Sequence, residues 1–154
     1  MAFLKITRPF NCLFVIISVF FGAYYQSSAS NLFPILFAAI SAVLIAAAGY
    51  VINDFFDIPI DIINRPDRVL PSGKITPKAA YIFSVTLFIL GITASYFTQN
   101  YYCVLIAIIN SLLLFSYAKT FKMSFLVGNI LVAYTTASTF LYGGLCNNNL
   151  KNSM

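Results

Sequence analysis

A chain of 154 residues that is 60% hydrophobic and 8% charged falls far below the roughly 25% charged residues of soluble domains and carries a membrane composition. Its net charge of +5 would suit a nucleic-acid partner if the bases formed one soluble patch, but they are spread among the connections between long apolar runs. That leaves no soluble domain of useful size and points to an all-α, polytopic membrane helix bundle.

Taken in chain order, Lys5 and Arg8 precede a first apolar run over about 10–25. It is short against the roughly 20 residues that cross a bilayer. The bases, the run and the following "SSAS" also match a signal peptide with a small-residue cleavage site, but four further runs favour a polytopic protein. Those runs cover about 32–52, 79–97, 101–118 and 125–146, so about five transmembrane helices are predicted. Arg65, Arg68, Lys74 and Lys78 lie between the second and third, and Lys119 and Lys122 between the fourth and fifth. The opposite connections, "QSSASN" and "TQNYY", are uncharged. With alternating spans, every base except Lys151 shares one face, which the positive-inside rule makes cytoplasmic. The chain is thus expected in the cell membrane, with its N-terminus on the cytoplasmic side and its polar tail, 147–154, outside. Cys12, Cys103 and Cys146 have no metal-ligand spacing and read as buried thiols.

The longest hydrophilic connection, residues 53–78, begins "NDFFDIPIDIINRPDRVLPSGK". All four acids of the chain, Asp54, Asp57, Asp61 and Asp67, lie in it, and there is neither Glu nor His. At about 100° per residue, Asn53, Asp57, Asp61 and Asp54 fall at about 0°, 40°, 80° and 100°, one arc of an unbroken helix. Carboxylates so placed repel one another and call for a positive partner. Mg²⁺ takes oxygen donors and commonly joins one or two carboxylates to substrate phosphates. Arg65, Arg68 and Lys74 then read as phosphate partners, the arginines by their planar forks. Acids for a metal and bases for a phosphate, beside a membrane, suggest a lipid carrying phosphate or diphosphate. Pro59 interrupts the pattern, since it lacks an N–H and crowds the carbonyl of Phe55, so the direction of Asp61 depends on a kink there. Further on, Thr76 followed by Pro77 reads as an N-cap and first-turn proline.

"NDFFDIPID" followed by "NRPDRVLPSGKIT" resembles the first aspartate-rich motif of the UbiA-type membrane prenyltransferases, N-D-x-x-D-x-x-x-D with a downstream R-P-x-R-x-x-P-S-G-[KR]. "TRPFNCLF" and "KMSFLVGN" are similar to that family's helix-one start and fifth-span approach. The resemblance implies a helical bundle around a central cavity, with Mg²⁺ holding an allylic prenyl diphosphate that ionises for attack by an acceptor. Within the family, the sequence looks closest to the archaeal subfamily of membrane lipid biosynthesis. There a geranylgeranyl group passes to the glyceryl hydroxyl of geranylgeranylglyceryl phosphate. Transferases of 4-hydroxybenzoate and chlorophyll type share much of the motif and form the alternative.

By the same resemblance, Asp57 and Asp61 become catalytic metal-site carboxylates, with Asp54 a further metal ligand and Asn53 beside them. Arg65, Arg68 and Lys74 match the basic positions. Lys119 and Lys122 compete for the basic position after the fourth span. Tyr50, Phe55, Phe56 and Tyr117 are candidates for a wall that stabilises a carbocation, although each is more readily read as ordinary packing. Family members have about nine membrane helices and a second aspartate-rich motif, whereas no acid follows Asp67. The chain is therefore expected to match the first half of the fold and to need a C-terminal half or second subunit for catalysis. The competing class is a non-catalytic membrane subunit that binds prenyl diphosphate. A transporter is disfavoured because the span interiors hold no ionisable residue. A transferase acting on CDP-alcohols is disfavoured because the D-G and A-R pairs of that pattern are missing.

Overall fold

The computed structural model describes residues 1–26 and 32–146. The polar tail, Lys151 and the "SSASN" part of the first uncharged connection lie outside them. A short α1 (Ala2–Ile6) leads into α2 (Pro9–Gln26), and α3 (Leu32–Phe56) is followed at once by α4 (Ile58–Asn64). After the turn-rich stretch come α5 (Pro77–Tyr96), α6 (Tyr101–Lys119), a 3₁₀ turn (Phe121–Met123) and α7 (Phe125–Cys146). The described residues are thus all-α, as composition required.

The helix boundaries follow local chemistry. Thr76 adopts extended backbone and its Oγ1 accepts from the Ala79 N–H at 3.3 Å, with Pro77 as the first helical residue. That is the predicted cap, which satisfies one of the orphan donors at a helix start. Asn100 does the same for α6, accepting from Tyr102 N–H at 2.9 Å. At the start of α2, Arg8 holds a left-handed φ of 52°, and Pro9 follows in the first turn, where its missing N–H goes unneeded.

Three of the five expected spans, α3, α5 and α6, are long and apolar enough to cross a membrane. α2 is a shorter apolar helix over Pro9–Tyr25. At 25 residues, α3 runs about 37 Å, more than a hydrocarbon core of about 30 Å requires.

α3 forms the centre of the bundle, packing chiefly against α5 and also against α2, α6 and α7, while α2 lies along α7. Small buried residues make that central place possible: Ala38, Ala39, Ser41, Ala47, Ala48 and Gly49 let neighbouring backbones approach. Between membrane helices, close packing and interhelical hydrogen bonds replace the hydrophobic drive of soluble cores. Ser84 accordingly donates to the Ala48 carbonyl at 2.9 Å, and Tyr142 to Ser41 Oγ at 2.8 Å. The α2–α7 seam is closer still, because a Cβ at Gly22 or Gly143 would overlap the carbonyl oxygen of Phe140 or Val19. Phe10, Leu13, Phe14, Ile17 and Phe21 are exposed on α2 at helical spacing, the pattern of a lipid-facing stripe. Cys12, Cys103 and Cys146 are free and buried, as expected.

Candidate functional site

The aspartate-rich segment does not form one straight helix. α3 ends at Phe56 and α4 starts at Ile58, yet Asp57 N–H still reaches the Asn53 carbonyl at 3.0 Å and Asp61 N–H the Asp57 carbonyl at 2.8 Å. Pro59 sits in the first turn of α4, a place that suits it. The interruption at Asp57 therefore leaves helical spacing largely intact.

The expected arc holds two clusters in the order its spacing sets, Asp54 with Asp61 and Asn53 with Asp57. On one side, Arg8 Nη2 donates to Asp54 Oδ1 at 2.6 Å, and Arg68 Nη1 to Asp61 Oδ2 at 2.6 Å. Arg68 Nη1 also lies 3.5 Å from Asp54 Oδ1, so one guanidinium joins both carboxylates. Both acids are buried. The Arg8 guanidinium carbon stands 5.2 Å from the centre of the Tyr50 ring. On the other side, Asn53 Nδ2 donates to Asp57 Oδ2 at 2.8 Å, and the Lys122 ammonium meets Asp57 Oδ1. Burial pushes Lys122 below the usual lysine range, and the Asp54 carboxylate pulls it part of the way back.

Lys122 owes its place to the 3₁₀ turn after α6, which swings it over Asp57. Lys119, the competing candidate, is exposed and has no ion pair among the described residues. Lys74 is exposed too, and Arg65 is exposed as the residue that closes α4. Arg8 was missed as a site residue. Its signal was the quoted "TRPF" at the start of α2, where the sequence suggested only topology.

A cavity of about 470 Å³ lies between α2, α3, α6 and α7, and Arg8 and Asn53, one from each charge cluster, are in its lining. Arg8, Asn53, Tyr50 and Tyr117 line one end, and Ser18, Ala42, Ala107 and Tyr142 lie deeper. Ten residues separate Arg8 from Ser18 and Ala107 from Tyr117, about 15 Å along each helix. Phe55 and Phe56 do not line this cavity; they pack against Tyr81 and Phe115. A second cavity of about 410 Å³ lies on the far side of Arg8 and includes Lys5, Asp54, Arg65, Asp67 and Arg68. No group of three or more His, Cys, Asp or Glu is placed to hold a metal ion among the described residues. Two carboxylates, Asp57 beside Asn53 and Asp61 beside Arg68, still offer hard oxygen donors in the number that Mg²⁺ takes from protein when phosphates complete its shell.

An all-α membrane bundle with a paired-charge cluster over an apolar cavity is the arrangement of a membrane transferase family. The family model for the UbiA prenyltransferase family matches residues 13–149, and the chain belongs to that family. It is 44% identical over 146 residues to digeranylgeranylglyceryl phosphate synthase of Sulfurisphaera tokodaii, covering 94% of this chain and 52% of the relative. It is 42% identical over 142 residues to the enzyme of that name from Methanoregula boonei, covering 92% and 50%. A solved structure from work on digeranylgeranylglyceryl phosphate synthase in membranes superposes with a TM-score of 0.91 at 40% identity, covering 97% of this chain and 54% of that one. The chain spans about half the length of the relatives it matches. With its long apolar helices, this likeness makes it a multi-pass membrane protein.

Proposed function

We propose that this chain supplies the diphosphate-binding half of a transferase that moves a geranylgeranyl group from its diphosphate to geranylgeranylglyceryl phosphate. The observation that carries the reading is that Arg8 and Asn53 both line the 470 Å³ cavity and bond outward to Asp54 and to the Asp57 carboxylate that Lys122 also meets. The apolar cavity takes the prenyl chain, and the charged mouth takes the diphosphate. α2 and α7 also cross the membrane in this reading, giving five spans, and the charged end faces the cytoplasm.

Asp57 and Asp61 are the carboxylates that would hold Mg²⁺, which would supply positive charge to the departing diphosphate, while Asp54 stays paired with Arg8 and Arg68. Arg8, Arg68 and Lys122 add fixed positive charge at the same end, and Asn53 orients Asp57. As the bond between the prenyl C1 and the diphosphate oxygen breaks, its electron pair leaves with the diphosphate. Charge already aimed there lowers that barrier without reorganisation. The glyceryl hydroxyl oxygen then bonds to C1 and releases its proton. Tyr50 and Tyr117, lining the cavity mouth, present ring faces that favour the developing cation.

A transfer assay tests this reading. The chain, combined in one membrane with the C-terminal half of the Sulfurisphaera tokodaii relative, would receive labelled geranylgeranyl diphosphate and geranylgeranylglyceryl phosphate. The expected product is the digeranylgeranyl lipid, formed only with Mg²⁺ and lost in Asp57→Ala. Transfer to 4-hydroxybenzoate instead, or undiminished transfer by Asp57→Ala, would reject it. Diphosphate binding without turnover would favour the non-catalytic subunit.

A further inference from the structure

The 410 Å³ cavity on the far side of Arg8 shares Arg8, Asp54 and Arg68 with the charge clusters described above, whereas its Lys5, Arg65 and Asp67 take no part in the diphosphate reading. Its walls are fixed: Ile6 anchors α1 at 2% exposure, and Val69 anchors the turn after α4 at 6%. That turn is closed by Arg68 N–H donating to the Arg65 carbonyl at 3.1 Å. Within it, Asp54 is already balanced by Arg8 and Arg68, whose guanidiniums keep further N–H groups beyond those bonded to Asp54 and Asp61. Lys5 and Arg65 have no ion pair among the described residues, and Asp67 is the one further acid in the lining. The open rim therefore holds two cations against one carboxylate, with two arginine edges behind them.

We infer that this groove is a second anion site, for the phosphate monoester headgroup of the acceptor lipid. The inference rests on the proposed transfer and names where its acceptor is held. Two anionic lipids meeting at one mouth would repel each other, so the reaction needs their phosphates apart but their reacting ends together. Arg8 lines both cavities and forms the partition between them. A phosphate held by Lys5 and Arg65 leaves the glyceryl hydroxyl free to reach past Arg8 to the prenyl carbon. Arginine forks suit phosphate oxygens, and ammonium adds a mobile point charge.

Equilibrium binding of sn-glycerol 1-phosphate, inorganic phosphate and geranylgeranyl diphosphate to the chain in zwitterionic nanodiscs tests this. Glycerol 1-phosphate is expected to bind saturably and more tightly than inorganic phosphate. Lys5→Gln and Arg65→Gln, both on exposed side chains, should each weaken it about tenfold, as loss of one charge-assisted hydrogen bond does. Lys5→Arg should restore most of that loss. Affinity for geranylgeranyl diphosphate with Mg²⁺ should stay within about twofold in Lys5→Gln, because Lys5 shares no hydrogen bond or ion pair with Asn53, Asp57 or Lys122 among the described residues. Unchanged glycerol phosphate binding in both Gln variants would overturn the inference. So would a parallel fall in diphosphate affinity, which would make the groove part of the first site, or equal affinity for inorganic phosphate, which would make it a free-phosphate site. If the unaltered chain binds the diphosphate but not glycerol phosphate, this inference alone fails; if it does not bind the diphosphate, the proposed transfer fails with it.

Discussion

Asp54 and Asp57 are three residues apart and belong to one motif, yet the fold gives them different work. Asp54 lies buried between Arg8, just before α2, and Arg68 beyond α4, so it ties three parts of the chain together. Asp57 stands at the α3–α4 break, and among the described residues its carboxylate is held by Asn53 and Lys122. An acid can thus serve the architecture or face a ligand according to how many elements share it. The motif spacing alone does not distinguish these roles.

Substitutions can break that contrast. Asp54→Ala leaves two guanidiniums without their shared acceptor and should cost on the order of 3 kcal/mol, as breaking a buried pair does, read as a drop in thermal stability in detergent. Asp57→Ala should lower diphosphate affinity about 100-fold with Mg²⁺ present, the scale of losing a preorganised charge contact, and should cost less stability than Asp54→Ala, because it strips a partner from one ammonium rather than from two guanidiniums. Equal destabilisation by the two variants would erase the distinction. Lys122→Gln should weaken diphosphate binding about tenfold, the value of one charge-assisted bond, whereas Lys119→Gln, at an exposed position, should change it less than about twofold. A larger effect at Lys119 would mean that the turn after α6 presents the wrong lysine. The smallest effect is expected at Pro59→Ala: a first-turn proline gives up no hydrogen bond, so stability should shift by less than about 1 kcal/mol. A much larger loss would show that Pro59 itself sets the direction of Asp61.

Local features of this site were legible in the sequence, and features built across distance were not. The Thr76–Pro77 cap and the spans follow from neighbouring residues, and so does the gathering of all acids in one connection. The break at Asp57 was visible only as the Pro59 irregularity, whereas the wheel already set Asn53 with Asp57 and Asp61 with Asp54. Arg8 lies 46 residues from Asp54, and their pairing depends on how α1, α2 and α3 pack. No short-range signal carries that. Lys119 and Lys122 look alike in sequence, since the 3₁₀ turn that separates their roles covers only Phe121–Met123. The family motif gave residue types at the right spacing, and the fold then sorted them into two clusters and two cavities.

The most direct measurement is the affinity of the chain in nanodiscs for geranylgeranyl diphosphate, with and without Mg²⁺, beside its Asp57→Ala variant. Saturable binding that requires Mg²⁺ and falls about 100-fold in the variant is the expected result. Affinity that is indifferent to Mg²⁺ and equal in the two proteins, or no binding at all, would contradict a diphosphate site at the mouth of this cavity.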